Sequence, residues 1–296
     1  MKLVGAFFYV ILSWLLAHSP RFFFYGLADF VYFILYRVLK YRRKVVLENL
    51  KKSFPEKSEK EIKEIATKFY HHLADIFIEN IAIIRMSKKR FLKMVSFKNL
   101  DIFEDLYKKN KSVVGIIAHY ANWEVLTGLA PFTDYQILSV YKPLTNKFFD
   151  REFYNMRKRF GEVPVSMHDT FRTVLKYHRE KKLSILGLIA DQRPPKGSGN
   201  YWTHFLNQET AVFLGPEKIA KKFNSAVVYS HVDKIKRGKY VVELELLFEN
   251  PSECKEFEIT ESHVRILENK IRQKPELWLW SHKRWKHKRD PESPIH

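Results

Sequence analysis

The chain has 296 residues, with 52 lysines and arginines against 33 aspartates and glutamates and a formal net charge of +19. That length holds one large domain or two small ones, and the charge suits an anionic partner: nucleic acid, an anionic membrane surface, a phosphorylated substrate or an acidic protein. The single cysteine, Cys254, excludes an internal disulfide and fits a reducing compartment; without a GxxxxGK[ST] loop, a GxGxxG fingerprint or Cys/His zinc spacing, nucleotide binding and a zinc site have no support.

Residues 3–17 carry no charge, and His18-Ser19-Pro20-Arg21 break the run. Residues 22–36 carry only Asp29, and Arg37, Lys40, Arg42, Arg43 and Lys44 come next. A membrane span needs about 20 apolar residues. The first run is slightly short, though Lys2 can snorkel. A signal peptide has an apolar region of this length too, but the chain after Ala17 stays apolar and lacks a clear cleavage site. We expect a retained anchor. Asp29 and the Pro20 break make the second stretch a buried or interfacial helix. The basic cluster places the rest of the chain on the cytoplasmic side and suits anionic headgroups.

Ser53-Phe54-Pro55 punctuates the chain. Ser58 and Glu61 read as a capping box, and Ile62, Ile65, Ala66, Phe69, Tyr70, Leu73 and Phe77 recur at helical spacing. A core-facing helix accounts for this pattern, with Asp75 and Glu79 solvated or paired and His71 and His72 at the surface. Residues 113–118 form a buried strand that stops at His119; five residues on, Glu124 opens an apolar-periodic helix. Residues 135–140 are a strand running into Tyr141-Lys142-Pro143. A basic helix with Asn146, Asp150, Arg151, Arg157, Lys158 and Arg159 ends at Gly161, its charges mostly a solvated face. Residues 183–190 are another strand, leading into Asp191-Gln192-Arg193-Pro194-Pro195-Lys196-Gly197. Gly215-Pro216 opens a helix. Residues 226–232 and 240–247 are strands joined at Arg237-Gly238, and a last helix over 261–273 meets Pro275. Beyond it Trp278, Trp280 and Trp285 interleave with basic residues.

Three strands thus end in ionisable groups: His119, Lys142 and Asp191. Carboxyl ends of strands are where an open α/β sheet builds a site. His119 and Glu124 are about 140° apart on an ideal helix, but a strand-to-helix turn can bring them together. A carboxylate on one ring nitrogen fixes the tautomer and leaves the other nitrogen as a base. Spacing alone is met equally by a strand-end histidine satisfied by backbone and a first-turn carboxylate favoured by the macrodipole. With no GxSxG elbow, the chemistry these groups suit is direct base catalysis: a hydroxyl is deprotonated and attacks an activated carbonyl, and backbone amides or a cation stabilise the oxyanion.

His119-Tyr-Ala-Asn-Trp-Glu124 resembles the HX4(D/E) motif of the lysophospholipid acyltransferase superfamily, and the chain as a whole resembles the lipid A late acyltransferases, the lauroyl/myristoyl transferases. The likeness rests on further motifs in order. They are Asn49-Leu50-Lys51-Lys52-Ser53-Phe54-Pro55, Tyr141-Lys142-Pro143-Leu144-Thr145-Asn146 with Arg157 and Arg159 downstream, Asp191-Gln192 before Pro195-Lys196-Gly197, and the terminal Pro275-Glu276-Leu277-Trp278-Leu279-Trp280-Ser281-His282-Lys283-Arg284-Trp285-Lys286. Lys142 and Lys283 stand where the family usually has Arg, and Arg193-Pro194-Pro195 where it has acidic or aromatic residues. Lys lacks the bidentate fork of Arg, so acceptor geometry is what these changes touch.

The resemblance implies His119 as general base, Glu124 orienting it and favouring its charged form, and Arg157 and Asp191 as further site residues, with Arg159, Lys142 and Asn146 binding substrate. It implies no metal or other cofactor beyond the co-substrate, an acyl carrier protein or coenzyme A thioester. Membrane lipids and the carrier protein are the partners it implies, not nucleic acid, at the cytoplasmic face of the inner membrane. The acceptor is a lipid A precursor, or alternatively another glycolipid, an aminolipid or a lysophospholipid. A rival of another class, a tethered basic module binding lipid or nucleic acid, explains charge and aromatics but not the ordered motifs. The expected architecture is α/β: residues 1–40 a membrane anchor and interfacial helix, residues 41–296 one acyltransferase domain with a central mixed sheet flanked by helices.

Overall fold

In a computed structural model, which describes residues 2–195 and 201–296 and only the backbone of 2–4, the apolar run after Ser112 is a buried central strand. The described strands are β1 (Val95–Lys98), β2 (Val113–Ile117), β3 (Gln136–Tyr141), β4 (Val163–Ser166), β5 (Ser184–Ile189), β6 (Tyr201–Phe205), β7 (Gln208–Val212), β8 (Ala226–Lys236) and β9 (Lys239–Phe248). Seven of them form one sheet in the order β1-β9-β8-β2-β5-β3-β4, and β6–β7 is a separate hairpin. β4, β3, β5, β2 and β8 run parallel. The β8–β9 hairpin reverses β9 and, with it, β1, so the sheet is mixed. Runs such as Val-Val-Gly-Ile-Ile in β2 are apolar on both faces because helices cover both.

The helices are α1 (Lys2–His18), α2 (Arg21–Phe33), α3 (Arg43–Ser53), α4 (Glu59–Ile83), α5 (Lys88–Phe91), α6 (Asp101–Lys108), α7 (Lys147–Phe160), α8 (Thr170–Arg179), α9 (Gly215–Phe223) and α10 (Glu258–Gln273). α4 begins at the expected capping box: Glu61 N–H donates to Ser58 Oγ (3.3 Å) and Ser58 N–H to Glu61 Oε2 (2.8 Å). His72, expected at the surface, lies on the buried face of α4, because at helical spacing it falls beside Phe69 and Leu73. The segment after Glu124 is a 3₁₀ stretch, Trp123–Phe132, in place of the expected helix; Pro131 within it has no amide to donate.

The N-terminal elements, expected as a membrane anchor and an interfacial helix, pack one face against the rest of the chain. Ser13, Leu16 and Ala17 of α1 and Phe24 and Ala28 of α2 are buried, and the apolar ones join the same core as α4 and the sheet. Tyr9 sets its ring edge-on to Phe148 and Phe149 of α7. Among the described residues no single helix is long and apolar enough to cross a membrane. One pair, Arg21–Val38 with Arg43–Ser53, meets the length and composition together but bends by 86° at the break. The outer faces of α1 and α2 remain apolar: Phe7, Phe8, Trp14, Phe22, Phe23 and Phe30 are exposed. Asp29, the one charge of the second stretch, is bound to Arg237 at 2.5 Å.

Candidate active site

Parallel register builds the site. Ile117 of β2 pairs with Ile189 of β5, and Ala190 N–H donates to Ile117 O (3.1 Å). His119 and Asp191 each come two residues later, so the ends of two adjacent strands deliver them side by side. His119 Nδ1 lies 2.7 Å from Asp191 Oδ1, and Trp278 Nε1 donates to Asp191 Oδ2 (2.8 Å). The Asp191 side chain is 2% exposed against 18% for His119, so the carboxylate is sealed under a ring that solvent still reaches. Burial pushes the Asp191 carboxyl up, but His119 and the Trp278 indole outweigh it and hold it below the usual carboxylate range. An ionised Asp191 accepts the Nδ1 proton, which leaves Nε2 as the basic nitrogen. Gln192 Nε2 sits 3.3 Å from that nitrogen, and Trp123 meets the ring edge-on at 4.7 Å.

Glu124 is not the carboxylate on the histidine. Arg157, from α7, donates from one Nη to both Glu124 oxygens (3.1 and 3.2 Å), and among the described residues no hydrogen bond joins Glu124 to His119. The reason is the turn: Ala121 takes a left-handed φ of 50° and Asn122 caps the 3₁₀ stretch, which directs Glu124 toward α7 while the register supplies Asp191. Burial works against the Arg157 charge, yet Glu124 and Glu162 together hold its pKa above the ordinary arginine value. Its guanidinium also lies over the rings of Tyr141 (5.7 Å) and Phe153 (5.9 Å). Glu162, just past the C-cap Gly161, is buried; desolvation raises its pKa to about 7 against the pull of Arg157.

The other expected substrate residues separate. Asn146 caps α7, accepting from Phe148 N–H at 3.0 Å. Arg159 points away from Arg157 and donates to Ile83 O at the end of α4 (2.8 Å). Lys142 is exposed just beyond β3. Lys196 and Gly197 of the Pro-x-Gly element lie outside the described residues. The remaining motifs brace the site. Ala121 N–H donates to Leu277 O (2.9 Å) and Leu279 N–H to His119 O (3.2 Å), so the terminal segment is strapped along the His119 turn. Asn49 donates to Trp280 O (2.9 Å) and His282 O (3.0 Å), and Phe54 meets Trp280 edge-on. Buried Arg284 donates to Ala211 O (2.7 Å), and burial lowers its pKa to about 10.

Sequence patterning assigns no role to Gln192, Trp278 or Glu162. Trp278 and Gln192 stand inside the ordered motifs, which is their only signal; Glu162 reads as an ordinary residue after a helix-ending glycine. Among the described residues no group of three or more His, Cys, Asp or Glu could hold a metal ion. The arrangement offers an imidazole oriented by a carboxylate on Nδ1, and an arginine charge-paired to Glu124 in the same turn region. A family model described as bacterial lipid A biosynthesis acyltransferase matches residues 1–287. No curated protein matches the chain.

Proposed function

Because the chain belongs to the bacterial lipid A biosynthesis acyltransferase family, we propose that it moves a fatty acyl chain from an acyl carrier protein thioester to a hydroxyl of a lipid A precursor, at the cytoplasmic face of the inner membrane. The observation that carries this reading is the His119–Asp191 pair at 2.7 Å, which occupies Nδ1 and, among the described residues, leaves Nε2 to Gln192 alone at 3.3 Å. The acceptor hydroxyl displaces Gln192 from Nε2 and gives its proton to that nitrogen as its oxygen attacks the thioester carbonyl. Asp191 holds the ring and stabilises the imidazolium. Arg157, kept in place by Glu124, faces the negative charge of the acceptor or of the tetrahedral intermediate. The C–S bond then breaks, and the thiolate takes the proton from Nε2 to leave as a thiol. No acyl-enzyme forms.

The apolar outer faces of α1 and α2 suit a lipid surface. Arg21, Arg37, Lys40 and Lys44 are exposed beside them and fit anionic headgroups. With their other faces committed to the core, the two helices lie in the interface plane. The net charge of +19 suits the acidic carrier protein and the anionic acceptor alike. Lipid mass spectrometry on cells carrying the wild-type protein or His119→Ala tests the reading. A glycolipid gaining one acyl chain with wild type alone is expected; identical lipid profiles in the two strains overturn it.

A further inference from the structure

The Glu124 side chain holds Arg157, yet the turn that aims it is set from below. Asn122, fully buried, accepts from Glu124 N–H through Oδ1 (3.2 Å) and donates through Nδ2 to Glu79 Oε2 (2.7 Å). Glu79 lies on α4 with no exposed surface. It also accepts from Tyr240 of β9 (2.7 Å) and from Tyr25 of α2 (3.0 Å). Tyr25 reaches it across Gly238, the positive-φ residue of the β8–β9 turn, where a Cβ would overlap the Tyr25 hydroxyl. Three donors from three separate elements therefore converge on one carboxylate. One of them belongs to the segment that forms the strand-to-helix turn of the site.

The set needs an acceptor oxygen at the Asn122 side: Asn122 and Tyr240 both give a proton to Oε2, and Tyr25 gives one to Oε1. An apolar residue there would leave Asn122 Nδ2 buried without an acceptor, a costly arrangement that the turn would relieve by moving. Glu124 begins two residues after Asn122, and Ala121 before it is already held in the left-handed region. Displacing Asn122 therefore displaces the Glu124 backbone, and with it the side chain that holds Arg157.

We propose that Glu79 is a positioning residue for acyl transfer: it fixes Asn122, and through it the Glu124–Arg157 pair, and ties that pair to the docking of α2. The catalytic part rests on the acyltransferase reading; the positional part does not. Glu79→Met keeps the approximate size but removes the acceptor. Glu79→Gln keeps one: its carbonyl oxygen can take Asn122 Nδ2 and the Tyr240 hydroxyl, which both meet Oε2, while its amide donates to the Tyr25 hydroxyl at the Oε1 position.

The test measures hydrogen exchange of the peptide over residues 119–126 together with steady-state transfer from an acyl carrier protein thioester. In Glu79→Met, exchange of that peptide is expected to rise by about tenfold, the scale of leaving one buried donor unsatisfied. The kcat falls by a similar factor, with the KM for the thioester within about twofold. Glu79→Gln, which keeps an oxygen for Asn122, holds both quantities near wild type. Tyr240→Phe, which removes a donor that does not touch the turn, leaves exchange over 119–126 near wild type. Unchanged exchange in folded Glu79→Met overturns the proposal, as does a Glu79→Gln variant no better than Glu79→Met. Should Glu79→Met not fold, Asn122→Ser cuts the same link from the other side while keeping a capping oxygen for Glu124 N–H, and unchanged exchange there overturns it equally. If the wild-type protein transfers no acyl group, the functional reading fails while the exchange data still decide the positional one.

Discussion

Asp191 Oδ1 meets His119 Nδ1 at 2.7 Å because both residues stand two positions beyond Ile117 and Ile189, which are paired in register on adjacent parallel strands. The pair is thus a product of sheet register, and slipping β5 against β2 by one residue would turn Asp191 to the other face. The opposite oxygen of Asp191 is held by Trp278 at 2.8 Å, which ties the carboxyl-terminal strap to the same centre.

Asp191→Asn should therefore disable the base without unfolding the protein. Asn has one acceptor oxygen where Asp191 serves two donors, Nδ1–H and the Trp278 indole, so one is left unmet or the ring changes tautomer. Loss of kcat by about 10²- to 10⁴-fold with little change in KM is expected from steady-state transfer assays. Activity within threefold or so of wild type would remove Asp191 from the mechanism.

Glu124 and Arg157 should behave as a unit. Their side chains are only 12% and 15% exposed, so deleting either leaves a nearly buried charge without its partner. Each single alanine variant is expected to cost about 3 kcal/mol in urea unfolding. The double variant should cost less than the sum by about 1 kcal/mol or more. Strict additivity would mean the pair is not coupled.

Acid should destabilise the protein well above the carboxylate range. Burial lowers the pKa of His72 to about 3 and those of His263 and His282 to about 4. Unfolded histidine titrates near 6.5. Between those values the unfolded chain binds protons that the native state refuses, so stability falls as pH drops from about 6.5 toward 4. The slope is about 1.4 kcal/mol per pH unit for each histidine once the unfolded form is protonated. Chemical denaturation at pH 7, 6 and 5 measures it, and a flat profile over that range counts against these assignments.

Two kinds of substitution should separate lipid contact from core packing in the N-terminal helices. Phe22 and Phe23 are 81% and 54% exposed, whereas Leu16 is fully buried. Phe22→Ser with Phe23→Ser should weaken sedimentation with anionic vesicles and leave the melting temperature near wild type. Leu16→Ala should cost about 2–5 kcal/mol of stability. Unaltered vesicle binding by the Phe22/Phe23 variant would place the lipid contact elsewhere.

Elements with a strong local signal were legible in the sequence. The apolar runs at β2 and β5, the capping box of α4 and the glycine closing α7 each carry their own cause of formation. Sequence patterning does not announce β1 and β4, four-residue edge strands too short to show alternation. It is equally silent on the β6–β7 hairpin, whose turn residues Leu206 and Asn207 both take positive φ, an unusual conformation for leucine. Lys142 and Asn146 sit in a motif, but nothing local tells a helix cap from a ligand, and Asn146 spends its side chain on α7.

By itself the sequence determined the α/β class, the strand that ends at His119, and the family, since these depend on short-range pattern and motif order. Which carboxylate serves His119 was a tertiary decision. Glu124 is five residues away in sequence and Asp191 seventy-two, yet parallel register brings Asp191 to the ring while the turn at Ala121–Asn122 sends Glu124 to Arg157. The fate of the N-terminal apolar run was decided the same way. Its hydrophobicity is a property of the chain, but only the packing of Leu16, Ala17, Phe24 and Ala28 into the core shows that one face of each helix is already committed.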